Sequence, residues 1–115
     1  MFCRRCGRVF HAPELVLPEF ANIIWKKVLR AEITDKEGQK IVSEFTKTSL
    51  IFHPHEKFIR SAYTGARLTN LTVYDWTYLS LALMLDCEFV TADEKFYKAL
   101  EKTKLKKHLL WVVDV

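Results

Sequence analysis

An α/β fold with a mainly parallel sheet is what this 115-residue chain predicts, on three observations. Short apolar runs of strand type (Leu50–Phe52, Phe89–Thr91, Leu109–Val113) alternate with longer stretches of helical periodicity. That order builds a parallel sheet through helical crossovers. The last run, LLWVV, is apolar throughout, as in a strand covered on both faces. Half the residues are hydrophobic and only three are Gly and three Pro, which suits a packed core better than a loop-rich scaffold. The length fits a single domain over residues 1–115, with 1–10 as an atypical N-terminal segment.

In chain order, Arg8–Ala12 reads as a short strand leading to Pro13. From Pro13 or Pro18 to about Arg30 the pattern turns helical, because proline is tolerated in a first helical turn. Phe20, Ile23, Ile24 and Val28 form its apolar stripe, broken by Lys27. Thr34-Asp35-Lys36-Glu37 has capping-box spacing and opens a second helix that buries Ile41, Val42 and Phe45. Leu50–Phe52 is a strand ended by His53-Pro54-His55. A third helix follows from about Pro54 to Arg67, carrying Phe58, Ile59, Ala62, Tyr63 and Ala66 inward. Thr72 caps a fourth helix running to about Asp86. It is apolar on nearly every face, which predicts burial among other elements. Phe89–Thr91 is a buried strand, and Thr91-x-x-Glu94 repeats the capping-box spacing at the start of the next helix. Trp25, Trp76 and Trp111 each sit in an apolar pattern and are expected in the core rather than as base-stacking platforms.

The net charge of +4 suits a phosphate-bearing or acidic partner without identifying either. Three cysteines cannot complete a disulfide framework, and Cys87 lies in an apolar run, so a cytoplasmic protein is expected. Leu79–Leu85 is too short to span a membrane.

Three acids stand apart from the others. Asp93 directly follows a strand, Asp75 opens the buried helix before that strand, and Glu19 opens the first long helix. Ligands of an open parallel sheet bind beyond the carboxyl ends of its strands, where helices begin. Three carboxylates gathered there repel one another unless a cation holds them, and oxygen donors suit Mg²⁺ or Mn²⁺. The same positions also suit acids with no further role, since helix N-termini favour negative charge.

The stretches APELVLPEFANIIWKKVLRAEIT and LTVYDWTYLSLALMLDCEFVTADEKF, with the closing LLWVV, resemble the PIN-domain ribonucleases of the VapC toxin type over residues 8–113. The likeness rests on the helix with Glu19 and Asn22, the T-x-Y-D-x-x-Y-L-x-L-A stretch around Asp75, and the V-T-A-D run ending at Asp93. It implies a three-layer α/β/α sandwich and a Mg²⁺- or Mn²⁺-dependent endoribonuclease that forms homodimers and is restrained by an antitoxin. It matches Glu19, Asp75 and Asp93 to the acidic metal site, with Thr91 and Asn22 in support. Lys26, Lys27 and Arg30, which are ordinarily a solvated helix face, become candidates for holding the RNA backbone if the nuclease reading holds.

One departure accompanies the match. Family members begin with a strand ending in the first metal-site Asp, and that strand is central in their sheet. Here no Asp precedes Asp35. Glu14 is a poor substitute, five residues from Glu19 and on another helical face. The expectation is therefore an N-terminally truncated PIN-like chain, or one in which Met1–Phe10 or another subunit fills the gap. A catalytically inactive PIN-like module that captures a protein partner is the alternative function.

Cys3-Arg4-Arg5-Cys6 has the spacing of half a zinc knuckle, but a full site needs two further ligands. His11 is one candidate, and Cys87 or a second chain another. An incidental terminus is the simpler reading. His53 and His55 flank Pro54 with no third ligand nearby in sequence, and read as loop or helix-start residues.

Overall fold

The computed structural model describes residues 9–111 in full and the backbone of residues 2–4. The chain divides into two compact units, one taking the residues up to Pro13 and from Leu50 onward, the other Glu14–Ser49.

In the first unit five strands form one sheet: β1 (Phe2–Arg4), β2 (Phe10–Pro13), β3 (Ile51–His53), β4 (Glu88–Thr91) and β5 (Leu109–Trp111), in the order β3-β2-β1-β4-β5. The β2–β3 and β4–β5 pairings are parallel, whereas β1 runs antiparallel to both β2 and β4. The α/β expectation holds, and four of the five described strands run the same way. The centre of the sheet is not empty: the N-terminal segment occupies it, reversed. Strand pairing asks for a row of backbone donors and acceptors, and an antiparallel strand supplies that row as well as a parallel one. A short connection from β1 to β2 also permits only the antiparallel arrangement, since a parallel neighbour needs a crossover of a dozen or more residues.

Helix α3 (Ile59–Thr69) packs on α4 (Val73–Leu85), and α4 packs on β1, β2 and β4. The buried α4 residues Trp76–Ala82 bear out the all-round apolar reading of that stretch. Tyr78 of α4 meets Phe89 of β4 with ring centroids 5.7 Å apart, and Phe89 meets Phe96 edge-on at 5.3 Å. Phe96 belongs to α5 (Glu94–Leu100). Gly65 lets α3 come close to α4, because a Cβ there would overlap the Trp76 indole. The Trp76 N–H donates to Thr69 Oγ1 at 2.7 Å, and that hydroxyl donates to the Gly65 carbonyl at 2.7 Å. Ser61 and Ser80 share a hydrogen bond of 2.9 Å across the same helix pair.

Only part of the predicted α3 stripe faces inward. Phe58, Ala62 and Gly65 are buried, whereas Ile59 and Tyr63 are exposed, Tyr63 by 62%. The covered face follows the 58-62-65 spacing, and residues one position on are rotated by about 100° away from it. The expected third helix begins as a 3₁₀ turn over His55–Phe58 before α3.

The second unit is a helical hairpin of α1 (Val16–Leu29) and α2 (Asp35–Phe45). Pro18 sits within the first turn of α1, where its missing N–H costs nothing. The Thr34 capping box is present: Thr34 Oγ1 accepts the Glu37 N–H and Glu37 accepts the Thr34 N–H, both at 3.1 Å. Phe20 stacks on Phe45 with centroids 3.9 Å apart, and Gly38 is buried against Val28 and Ile24. Trp25 is 55% exposed, which corrects its core assignment, and Ile23 is exposed beside it. The apolar stripe of α1 is wider than the face it buries. Trp76 is in the core as expected, and Trp111 is half-buried with its ring edge-on to Tyr97.

At the β2–β3 edge, His11 Nδ1 lies 2.9 Å from His53 Nε2. Partial burial, with the Lys57 ammonium as a lesser cause, holds His53 below the ordinary histidine range. The unfolded chain therefore takes up the proton first as pH falls. The stability this group contributes is complete above its unfolded value near 6.5 and is lost as pH drops from there through the folded value. Thermal midpoints measured between pH 8 and pH 5 are expected to fall over that window, and His53→Gln is expected to flatten the slope.

Candidate active site

Asp75 and Asp93 line one hollow of about 220 Å³, together with Asn70, Leu71, Thr72, Lys95 and Phe96. The local sequence places each acid. Asn70 ends α3 in the left-handed conformation (φ 57°), which asparagine tolerates better than most residues. The chain then turns at Leu71 and enters α4 through a second capping box. Thr72 Oγ1 accepts the Asp75 N–H at 3.0 Å, and Asp75 Oδ2 accepts the Thr72 N–H at 3.3 Å. On the other side of the hollow, the buried Thr91 at the end of β4 accepts the Asp93 N–H through Oγ1 at 3.0 Å. Asp93 is the N-cap of α5 and accepts the Phe96 N–H through Oδ1 at 3.1 Å. The cap of α5 is thus Asp93, not Thr91 as the T-x-x-E spacing implies. The chain needs the two residues after β4 to turn, so the cap moves on and Thr91 braces that turn.

Each acid spends one carboxylate oxygen on its own helix end, leaving the second without a protein partner among the described residues. Two such oxygens in one concavity, beyond the carboxyl end of a strand, are hard donors of the kind that bind Mg²⁺ or Mn²⁺. Lys95 brings the opposite charge to the same hollow. The reading from sequence missed Lys95 and Asn70. Lys95 was signalled only by lying two residues past Asp93, and Asn70 by directly preceding the turn into the T-x-x-D cap.

Glu19 is in the first turn of α1, half-buried, with the exposed Asn22 three residues on; both belong to the Glu14–Ser49 unit. Among the described residues no group of three or more His, Cys, Asp or Glu side chains stands together as a metal site. Lys27 and Arg30 both reach Glu32, at 3.3 and 3.2 Å, while Lys26 is exposed. Cys6 and the Cys3 side chain lie outside the described residues, and Cys87 is buried. No helix among the described residues is long and apolar enough to cross a membrane.

The structure thus defines an α/β protein with a two-carboxylate hollow beyond the end of β4. Ribonuclease VapC3 of Pyrobaculum aerophilum is 26% identical over 87 residues, a match covering 74% of this chain and 66% of that relative. The chain thus spans about two thirds of the relative's length. No protein-family model matches the chain.

Proposed function

We propose that this chain is a PIN-like, toxin-type endoribonuclease that hydrolyses RNA phosphodiester bonds with Mg²⁺ or Mn²⁺. The observation that carries the reading is the pairing of Asp75 and Asp93 in one hollow. The likeness to a VapC ribonuclease supports it. Asp75 and Asp93 would hold the cation, with Glu19 as the third acid in a single PIN-like domain built as a three-layer α/β/α sandwich. When bound, such a cation polarises a phosphate and lowers the pKa of a water for in-line attack. The chain's own contributions are more local. The two helix-end hydrogen bonds fix the carboxylates before substrate arrives, so little ordering entropy is lost on binding. Thr91 positions Asp93 through its backbone N–H. Lys95, which lines the hollow, would meet a phosphate of the RNA, and Lys26 on α1 is a weaker candidate for the same role. Asn22 supports Glu19 from one turn away. A homodimer, an antitoxin partner and a cytoplasmic setting complete the proposal.

The test is cleavage of labelled RNA by the full chain with Mg²⁺ or Mn²⁺, with chelator, and by Asp93→Asn. Cleavage that needs the metal and is lost in the variant supports the reading; equal cleavage by both proteins sinks it. Lys95→Gln is expected to raise KM for RNA several-fold with little change in kcat, and to lower the salt dependence of RNA binding.

One observation favours the inactive alternative. The central strand β1 is Phe-Cys-Arg and brings no carboxylate to the sheet. Folded protein that binds a protein partner but cleaves no RNA with either metal would establish that alternative.

A further inference from the structure

The net charge of this chain is concentrated in one segment. Residues 94–107 hold six lysines and two glutamates, a balance of +4 that equals the net charge of the whole chain. The remainder of the chain balances to zero. The fold turns this run into a one-sided ridge. Lys95 and Lys98 lie three apart on α5, and helical hydrogen bonding continues to Glu101, whose N–H donates to the Tyr97 carbonyl at 2.9 Å. Lys102 is seven residues past Lys95 and so returns to the same face. Thr103 then ties α5 to a 3₁₀ turn over Lys104–His108. Its Oγ1 donates to the Leu100 carbonyl at 2.7 Å and accepts the Leu105 N–H at 3.2 Å. Side chains three apart eclipse one another in a 3₁₀ turn. The half-buried Leu105 and the buried His108 share the inner side, where His108 Nδ1 donates to the Cys87 carbonyl at 3.2 Å. Lys104, Lys106 and Lys107 are left facing solvent, and all three are exposed.

Lys98 is held by Glu94, whereas Lys95, Lys102, Lys104, Lys106 and Lys107 have no ion-pair partner among the described residues. A helix C-terminus favours cations, which accounts for Lys98 and Lys102. It does not account for three more lysines beyond the helix, whose mutual repulsion no described carboxylate offsets. Strands β4 and β5 are parallel; the hollow lies beyond the carboxyl end of β4, and the 3₁₀ turn leads into the start of β5. The ridge thus begins at Lys95 in the hollow and follows α5, about 10 Å long, toward the opposite end of the sheet. We propose that Lys95, Lys102, Lys104, Lys106 and Lys107 form a track for the phosphate backbone of an RNA strand that extends several nucleotides past the bond held at the hollow. The role of the hollow rests on the nuclease reading; the backbone contact itself needs no cleavage. Such a track reads charge rather than base sequence, so it favours long RNA over short.

The experiment is fluorescence anisotropy of labelled RNA on the full chain without divalent metal, over a range of salt, with cleavage in Mg²⁺ or Mn²⁺ measured alongside. The triple variant Lys104→Gln, Lys106→Gln, Lys107→Gln should bind a long RNA about tenfold more weakly and lower the slope of log K against log salt by about 2. Its KM for long RNA should rise with kcat unchanged, while cleavage of a short RNA that fills only the hollow should match wild type. Lys104→Gln alone, with a slope change of about 0.7, is the substitute if the triple variant loses helix content by circular dichroism. Lys36→Gln, Lys40→Gln, Lys47→Gln removes the same charge from exposed positions in the Glu14–Ser49 unit and should leave the slope unchanged. Equal weakening by the two triples, or none by the first, overturns the track. So does folded wild type that binds poly-glutamate but no RNA. RNA binding that depends on these lysines without any cleavage keeps the track and removes the nuclease reading.

Discussion

Asp75→Asn is expected to lower metal-dependent RNA cleavage by at least about a hundredfold while the fold is kept. The fold should survive because asparagine retains an oxygen that can accept the Thr72 N–H, so the capping box at the start of α4 stays closed. What is lost is one negative charge and one anionic donor in the hollow. Changing a group that merely supports a metal ligand costs about 10–100-fold in affinity or activity. A group that binds the cation directly belongs at or beyond the upper end of that range. Thr72→Ala is the control: it opens the cap at a cost of about 1 kcal/mol and leaves the charge of the hollow unchanged. Thermal midpoint and initial cleavage rate, measured together, separate the two effects. Cleavage by Asp75→Asn within a few-fold of wild type would remove Asp75 from the site.

Gly65→Ala should be the most destabilising small substitution in the described helices, by about 2 kcal/mol. In an exposed helix the same change would stabilise by up to about 1 kcal/mol. Here the new methyl would overlap the indole of Trp76. That ring is 8% exposed and tied through its N–H to Thr69, which is tied in turn to the Gly65 carbonyl. It cannot step aside without breaking this chain of bonds, so overpacking, typically about 1–3 kcal/mol and sometimes more, outweighs the gain in propensity. A fall of roughly 8 °C in thermal midpoint follows for a chain of this size. Gly38→Ala is the informative contrast. Its Cβ would meet the Val28 Cγ2 methyl at 2.9 Å and the Ile24 Cγ2 methyl at 3.3 Å, single methyls on two β-branched side chains and a milder overlap than that with the Trp76 ring. Crowding and propensity then nearly cancel, and the expected change is within about 1 kcal/mol of zero. Urea unfolding of both variants measures the difference. Because α4 also carries Asp75, Gly65→Ala should reduce cleavage as well.

Much of the local structure is legible in the sequence. The capping boxes at Thr34 and Thr72 formed as read, because they depend on residues three apart and on nothing else. The burial of α4 followed from its being apolar on nearly every face. Where an apolar stripe was wider than one contact face, periodicity alone misjudged it. Ile23, Trp25, Ile59 and Tyr63 lie beside covered positions but remain exposed. Spacing cannot say how many neighbours a helix will have.

The sequence by itself determined the α/β class, the two capped helices and the acids at their junctions, since these rest on composition and on contacts within one turn. Only the tertiary structure decided that Asp75 and Asp93 share one hollow, that Lys95 joins them, and that His11 meets His53. It also decided the fate of the N-terminal segment. Phe2–Arg4 takes the middle of the sheet antiparallel to both neighbours, because backbone pairing is blind to side-chain identity and is chosen among strands far apart in the chain.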